Sequence, residues 1–384
     1  ADIAFVRGEG SWLYTENGDA YLDCASGIAV NIFGHNNPRL VEALTQQAGQ
    51  LWHTSNLYRI PQQEKLAYRL ARHAGLDHAF FCNSGVKANE AAVKMARRFQ
   101  YRASYPDRIK IICAGGAFHG RTLAMLAATD KELFREGFGP MPDGFSHVPF
   151  GNLNALRDIM SEDVAAIMVE PVQGEGGARA APDGYLDGLA AAAHEYGVLV
   201  IADEVQCGLG RTGEIFAFQH SMVQPDIVVL AKGLGGGMPI GAVITRADIG
   251  EAMGPGSNGY TFGGNPLATA CGNAVLDGLE EEGFMEGVQH KIGLLDAVMM
   301  RLHSQFQGII LEVRGTGFLR GLRLHDDVPA GEVTAALRAR HLLVVPAAEN
   351  VVRLLPPLTI TEDEIHQAQA HLISHFQNLV AGRS

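Results

Sequence analysis

Short apolar runs alternate with longer helix-patterned stretches through the middle of the chain. Runs rich in Val, Ile and Ala at 79–82, 109–113, 165–169, 198–202, 227–231 and 240–245 are bounded by Gly, Pro or Asp, the pattern of strands buried on both faces. Between the first two, a 3.6-residue period over 86–99 places Ala88, Ala91, Ala92, Met95 and Phe99 on one helix face, and 185–196 behaves similarly. Such alternation predicts an α/β fold with a mostly parallel central sheet covered by helices on both sides. The ends read differently. Residues 10–23 predict a hairpin turning at Glu16-Asn17-Gly18-Asp19. A helix is predicted over 267–281, further amphipathic helix to about Phe306, and then a smaller α/β unit with strands near 309–313, 319–324 and 351–355. The expected division is an N-terminal segment 1–48, a large central domain 49–266, and a part 267–384 that joins the N-terminal segment in a second, smaller domain.

Composition narrows the classes. With 47% hydrophobic and 19% charged residues among 384, the chain is too apolar for intrinsic disorder and long enough for a large core without disulfides. A net charge of −12 argues against nucleic acid or an anionic membrane as partner, while leaving room for a local cationic pocket. The five cysteines are dispersed, with no CxxC and no metal-ligand spacing, as expected of reduced thiols. No apolar run approaches the ~20 residues of a membrane span, and the opening ADIAFVRGEG has no basic-then-apolar leader pattern. The expectation is a soluble, cytoplasmic protein. Glycine is in excess, 46 residues against a usual share of about 7%, and its clusters point to where backbone must turn tightly or approach a ligand closely.

Three clusters matter. Gly208-Leu-Gly-Arg-Thr-Gly213 matches G-x-G-x-x-G, with Asp226 18 residues beyond Gly208. A dinucleotide fingerprint must open a helix directly after its strand, whereas here Asp203-Glu204-Val205-Gln206 intervenes and Glu214 onward is a poor helix start. A nucleotide-binding oxidoreductase is therefore the weaker reading. Asn83-Ser84-Gly85 lies between a predicted strand and helix, a context that offers free N–H groups and a positive dipole end to an anion; a helix capped by Ser84 is an equal alternative from this segment alone. Finally, Lys232 follows a buried strand and precedes a glycine-rich loop, where α/β sheets place ligand groups. A desolvated lysine there can bond an aldehyde. Asp203 ends another apolar strand, and a carboxylate so placed needs a cationic partner such as a protonated pyridine nitrogen. Lysine for the aldehyde, acid for the ring nitrogen and helix N-terminus for the phosphate are the needs of pyridoxal 5'-phosphate.

With these residues in place, the sequence resembles the class III, fold-type I pyridoxal-phosphate aminotransferases, and within them the acetylornithine aminotransferases. The resemblance runs from about Gly10 to Leu358 and includes GIAVNIFGHNNP (27–38), HTSNLY (53–58), NSGVKANEAA (83–92), AFHGRT (117–122), EPVQGEGG (170–177), ADEVQCGLGRTG (202–213), AKGLGGGMPIGA (231–242), TFGGNPLA (261–268) and RLLPPL (353–358). It implies that Lys232 carries the cofactor and shuttles the proton, that Asp203 pairs with the ring nitrogen, that Phe118 and Val205 cover the two ring faces, and that Gln206 binds the ring O3'. The N–H groups of Gly85 and Val86 would hold the phosphate with Thr261 of the partner subunit, so a homodimer with shared active sites is implied. Arg121 and Arg353 resemble the two substrate-carboxylate arginines, and Glu175 the gate that masks Arg353 until 2-oxoglutarate binds. His35 and His119 read as structural hydrogen-bonders. Gly27 stands where ornithine aminotransferases carry a tyrosine and leaves space for an acyl group, which favours acetylornithine as amine donor over succinylornithine, succinyldiaminopimelate, free ornithine or 4-aminobutyrate. Two departures stand out. The family usually has Thr or Ala, then Glu, where Val86-Lys87 stands, and a small Ser or Thr near the substrate acyl group where Tyr260 stands.

Overall fold

The computed structural model describes residues 2–382. Its central sheet has seven strands in the order His78–Cys82, Gly241–Thr245, Ile227–Leu230, Leu199–Asp203, Val164–Val169, Lys110–Ala114 and Phe145–Val148. All six predicted strands are present, with ends shifted by a residue or so. The seventh, Phe145–Val148, is a short, half-buried edge strand that carries no long apolar run for a sequence pattern to register. Five strands pair in parallel, but Gly241–Thr245 runs antiparallel to both of its neighbours.

Gly85–Arg102 forms the helix after the first strand and buries Ala88, Ala91, Ala92 and Met95, with Phe99 half-buried. Tyr185–Tyr196 is helical over the span that the pattern predicts and ends on the left-handed Gly197. The predicted helix 267–281 is Pro266–Leu279, capped by the Asn265 side chain on Ala268 N, and is buried on nearly every side.

The hairpin turns where expected, joining Trp12–Thr15 to Ala20–Asp23, and a further strand, Phe5–Glu9, precedes it. Leu342–Leu343 adds to this sheet in parallel, with Leu342 opposite Leu22. The two ends of the chain are also tied through Glu364, whose carboxylate accepts from Ser11 Oγ at 2.9 Å and from Trp12 Nε1 at 2.8 Å while completing a capping box with Thr361. A third sheet carries Ile310–Thr316, Leu319–Leu324, Val351–Leu354 and Val345–Ala347 in that order. All five cysteines are buried and free. Among the described residues, no helix is long and apolar enough to cross a membrane.

Candidate active site

The C-terminal ends of the parallel strands converge on a cavity of about 460 Å³, within the usual range for small-molecule sites. Its walls include Gly85, Val86, Phe118, Arg121, Asp203, Val205, Gln206 and Lys232. These eight residues, all singled out in the sequence, thus face one space.

The strand His78–Cys82 passes through Asn83 and an extended Ser84 into the 18-residue helix that starts at Gly85. Ser84 makes no side-chain cap, so of the two readings open in the sequence, the capped helix is absent. Among the described residues, no acceptor faces the N–H groups of Gly85 and Val86. They point their partial positive charge, with the helix dipole behind it, toward an anion. Glycine is required here because a Cβ on Gly85 would lie 2.9 Å from Val205 Cγ1.

Lys232 follows the strand Ile227–Leu230 and holds a left-handed φ of 44°, an uncommon backbone state for a lysine. Burial and the neighbouring Arg353 push its ammonium down to about 8, against the opposing pull of Glu175, Glu170 and Asp203. About a tenth of the amine is then neutral at pH 7, far more than for an ordinary lysine, and the neutral form is what nucleophilic attack on an aldehyde requires.

Asp203 is 2% exposed at the end of its strand. Val205 N donates to Oδ1 at 3.0 Å, and Asn89 Nδ2 and His119 Nδ1 meet Oδ2 at 2.8 and 2.7 Å. Burial alone would lower the His119 pKa, but hydrogen bonding and charge from Asp203 and Cys113 outweigh it and hold the imidazole well above its usual range. His119 is the structural hydrogen-bonder the sequence suggests, and it holds the Asp203 carboxyl in place. Asn89 went unmarked in the sequence; its signal is a polar side chain within the buried alanine face of a helix.

Behind Gln206 lies a second charged pair. Arg353, 1% exposed, donates from Nη1 to Gln206 Oε1 and from Nη2 to Glu175 Oε1, both at 2.7 Å. Burial would raise the Glu175 carboxyl, yet the charge and hydrogen bond of Arg353 hold it below its ordinary range. Gly174 lets this loop pass so near that a Cβ there would overlap the Gln206 amide. At the cavity mouth, Arg121 lies 4.0 Å from the Phe134 ring centroid and 5.8 Å from that of Phe118, with no carboxylate partner among the described residues.

Like Glu175 and Arg353, which stand behind Gln206, the residues Gly27, Thr261 and Tyr260 are not part of the cavity wall. Gly27 sits in a left-handed turn (φ 62°), where an added Cβ would lie 3.1 Å from the Asn31 amide nitrogen. Thr261 is exposed. Tyr260 donates its hydroxyl to Lys87 O at 3.2 Å, and the Lys87 ammonium lies 5.1 Å from its ring centroid. The two departures from the family pattern therefore touch each other. Glu170 also lines the cavity and was not singled out, although it ends an apolar strand just as Asp203 does. The glycines of 208–213 form turns and open no helix; Arg211 among them is buried, donating to the carbonyls of Pro356 and Phe318.

The residues fit pyridoxal phosphate: an unsatisfied helix N-terminus for the phosphate, a triply bonded carboxylate for the ring nitrogen, and an enclosed lysine of depressed basicity for the aldehyde. Comparisons with known proteins agree. The class-III aminotransferase family matches residues 1–376. An acetylornithine aminotransferase of Mesorhizobium japonicum is 49% identical over 96% of this chain and 92% of its own length. The crystal structure of N-acetylornithine aminotransferase from Stenotrophomonas maltophilia is 34% identical, with a TM-score of 0.87 over 99% of this chain and 97% of that one. The ornithine aminotransferase of Toxoplasma gondii, whose structure has partial occupancy of pyridoxal phosphate at the active site, is 32% identical, with a TM-score of 0.95 over 100% of this chain and 92% of that one. The chain belongs to the class-III aminotransferases, enzymes that depend on pyridoxal 5'-phosphate.

Proposed function

We propose that this aminotransferase moves the terminal amino group of N2-acetyl-L-ornithine to 2-oxoglutarate, forming N-acetyl-L-glutamate 5-semialdehyde and L-glutamate. The observation that carries this reading is the Glu175–Arg353 pair, 2.7 Å apart and joined to the cavity wall through Gln206. A ping-pong enzyme of this kind must accept an amine donor whose reacting carbon bears no carboxylate, then a keto acid whose reacting carbon does. With Glu175 in place the guanidinium is neutralised for the first; with Glu175 withdrawn it is free for the second. Relatives named acetylornithine aminotransferase, similar over nearly the whole chain, support the choice of donor.

Bound pyridoxal phosphate supplies the aldehyde that accepts the amino group and a ring that stabilises negative charge at the reacting carbon. Lys232 would hold the cofactor at rest and, once displaced, carry the proton from the carbon that bore the amine. Asp203 would keep the ring nitrogen protonated, Phe118 and Val205 would fix the ring plane, and Gln206 would bind O3'. The N–H groups of Gly85 and Val86 would take the phosphate, with Thr261 of the partner subunit. Arg121 would hold the α-carboxylate of the donor, and, as the resemblance implies, Gly27 would leave space for its acyl group, near which Tyr260 would lie.

The second copy is supported by an exposed apolar strip, Leu51, Trp52, Leu57, Tyr58 and Phe262, whose two segments are joined by Asn56 Nδ2 on Gly263 O. The division into a large domain of 49–266 and a smaller one from both ends accords with Leu342–Leu343 pairing beside Ala20–Asp23. Free thiols at all five cysteines suit a reducing cytoplasm.

The test is a single-turnover series. Cofactor-loaded protein is mixed separately with acetylornithine, succinylornithine, ornithine and 4-aminobutyrate, and loss of the lysine-bound cofactor's absorbance is timed. Acetylornithine is expected to react fastest; faster reaction with free ornithine overturns the assignment of the donor.

A further inference from the structure

Glu170 stands on the cavity wall, 4% exposed, and the roles assigned above leave it unused. Its Oε1 accepts the backbone N–H of Phe118 at 2.9 Å. The loop that carries Phe118 is tied at neighbouring points as well. Gly116 N donates to Asp130 Oδ2 at 3.3 Å, His119 N to Thr129 Oγ1 at 3.0 Å, and His119 O accepts from Asn89 Nδ2 at 2.8 Å. Glu170 provides the tie at Phe118 itself. A neutral amide could serve that purpose equally well, so a carboxyl group at this place calls for a second reason.

That reason lies in its surroundings. Around Glu170 stand His119 on the same loop as Phe118, Asp203 at the end of the adjacent strand and Cys207 beyond it, Lys232 across the cavity, and Lys131. Burial pushes the Glu170 carboxyl up to about 7, His119 and Lys232 favour its ionised form, and Asp203 opposes it. Glu170 and Lys232 line the same cavity, and each favours the charged form of the other. Of the three carboxylates that act on Lys232, Glu175 is matched by Arg353 and Asp203 by His119, each at 2.7 Å, which leaves Glu170 as a nearby counter-charge for the lysine nitrogen.

We propose that Glu170 is a positioning residue with two effects: it fixes Phe118 against the cofactor ring through the Phe118 N–H, and its carboxylate stabilises positive charge at Lys232 Nζ. The inference rests on the roles given to Lys232 and Phe118 above and is independent of which amine is the donor.

Two variants separate the effects. Glu170→Gln keeps an acceptor for Phe118 N and removes the charge; Glu170→Asp keeps the charge and draws the acceptor back by one methylene. Apo-protein is titrated with pyridoxal phosphate to obtain the dissociation constant, and the absorbance of the bound cofactor is then followed against pH. Glu170→Gln is expected to bind within about threefold of wild type, with the pH midpoint lowered by about one unit through loss of a nearby negative charge. Glu170→Asp is expected to keep the midpoint and bind about tenfold more weakly, the effect of one buried hydrogen bond. An unchanged midpoint in Glu170→Gln overturns the charge effect, and wild-type affinity in Glu170→Asp overturns the tie to Phe118. If wild type itself forms no lysine-bound absorbance, the role of Lys232 fails instead, which is a separate result.

Discussion

Glu175 Oε1 lies 2.7 Å from Arg353 Nη2, and the same guanidinium holds Gln206 through Nη1, so one buried arginine links the loop 174–177 to the cofactor pocket. Any movement of Glu175 changes the charge seen by substrate and the restraint on Gln206 together.

Removing this carboxylate should separate the half-reactions. In Glu175→Gln, Arg353 is no longer neutralised, and a charge-assisted hydrogen bond is worth about 1.5–3 kcal/mol. The KM for 2-oxoglutarate should fall several-fold, while the half-reaction with the amine donor slows by roughly tenfold. Rapid-mixing measurements of each half-reaction check this; equal effects on both would mean that Glu175 only supports the loop.

Lys232→Ala should abolish the absorbance of lysine-bound cofactor and reduce transamination by about 10⁴-fold or more, the upper range for loss of an acid–base group. In wild type the neutral amine is the reactive form, and burial beside Arg353 lowers its basicity to about 8. Capture of cofactor by apo-protein should therefore accelerate by about tenfold per pH unit below that value and level off above it. Stopped-flow absorbance from pH 6 to 10 gives the profile, and a rate still climbing at its alkaline end would contradict the lowered value.

Glu204, between Asp203 and Val205 but outside the cavity wall, offers a stability test. It is 1% exposed; Ala217 N and Phe218 N donate to its carboxyl at 2.8 and 2.7 Å, and the Cys207 thiol at 3.5 Å. Burial raises it from the ordinary 4.5 to about 7. The folded chain thus keeps a proton that the unfolded chain releases near 4.5. The stabilisation is fully present below that pH and is lost as pH rises through about 7. Relative to wild type, Glu204→Gln should gain on the order of 1–3 kcal/mol across this interval. Urea melts of both proteins at pH 4.5, 6 and 8 provide the comparison, and a constant difference would refute it.

Arg211 brackets the loop 208–213 to the C-terminal strands: Phe318 N donates to its carbonyl at 2.8 Å, while its guanidinium donates to the carbonyls of Phe318 and Pro356. Pro356 follows Arg353 by three positions. Arg211→Met should leave those carbonyls without donors, lower stability by about 2–4 kcal/mol, and raise the KM for 2-oxoglutarate more than it lowers kcat. Thermal melts and steady-state kinetics on the same preparation test both parts.

Much of this architecture was legible because its determinants are local. Strands such as Leu199–Asp203 and Ile227–Leu230 lie buried on both faces, which demands unbroken apolar runs, and Gly85–Arg102 needs its alanines at helical spacing. The same locality exposed Lys232 and Asp203 as polar residues at apolar strand ends. The 208–213 glycines show the limit: their spacing matches a nucleotide loop, and only the turns that they form show that no helix begins there.

The amino-acid sequence by itself determined which segments become strands and helices, and which side chains could bond an aldehyde, a ring nitrogen or a phosphate. Tertiary structure decided which of them meet. A strand buried on both faces carries the same pattern in either direction, so the reversal of Gly241–Thr245 was invisible along the chain. The contact of Asn89 with Asp203, Glu170 with Phe118, Tyr260 with Lys87, and Glu175 with Arg353 each spans 52 or more positions. Such contacts are set by the order in which strands pair and by the burial that follows, and no local periodicity encodes that order.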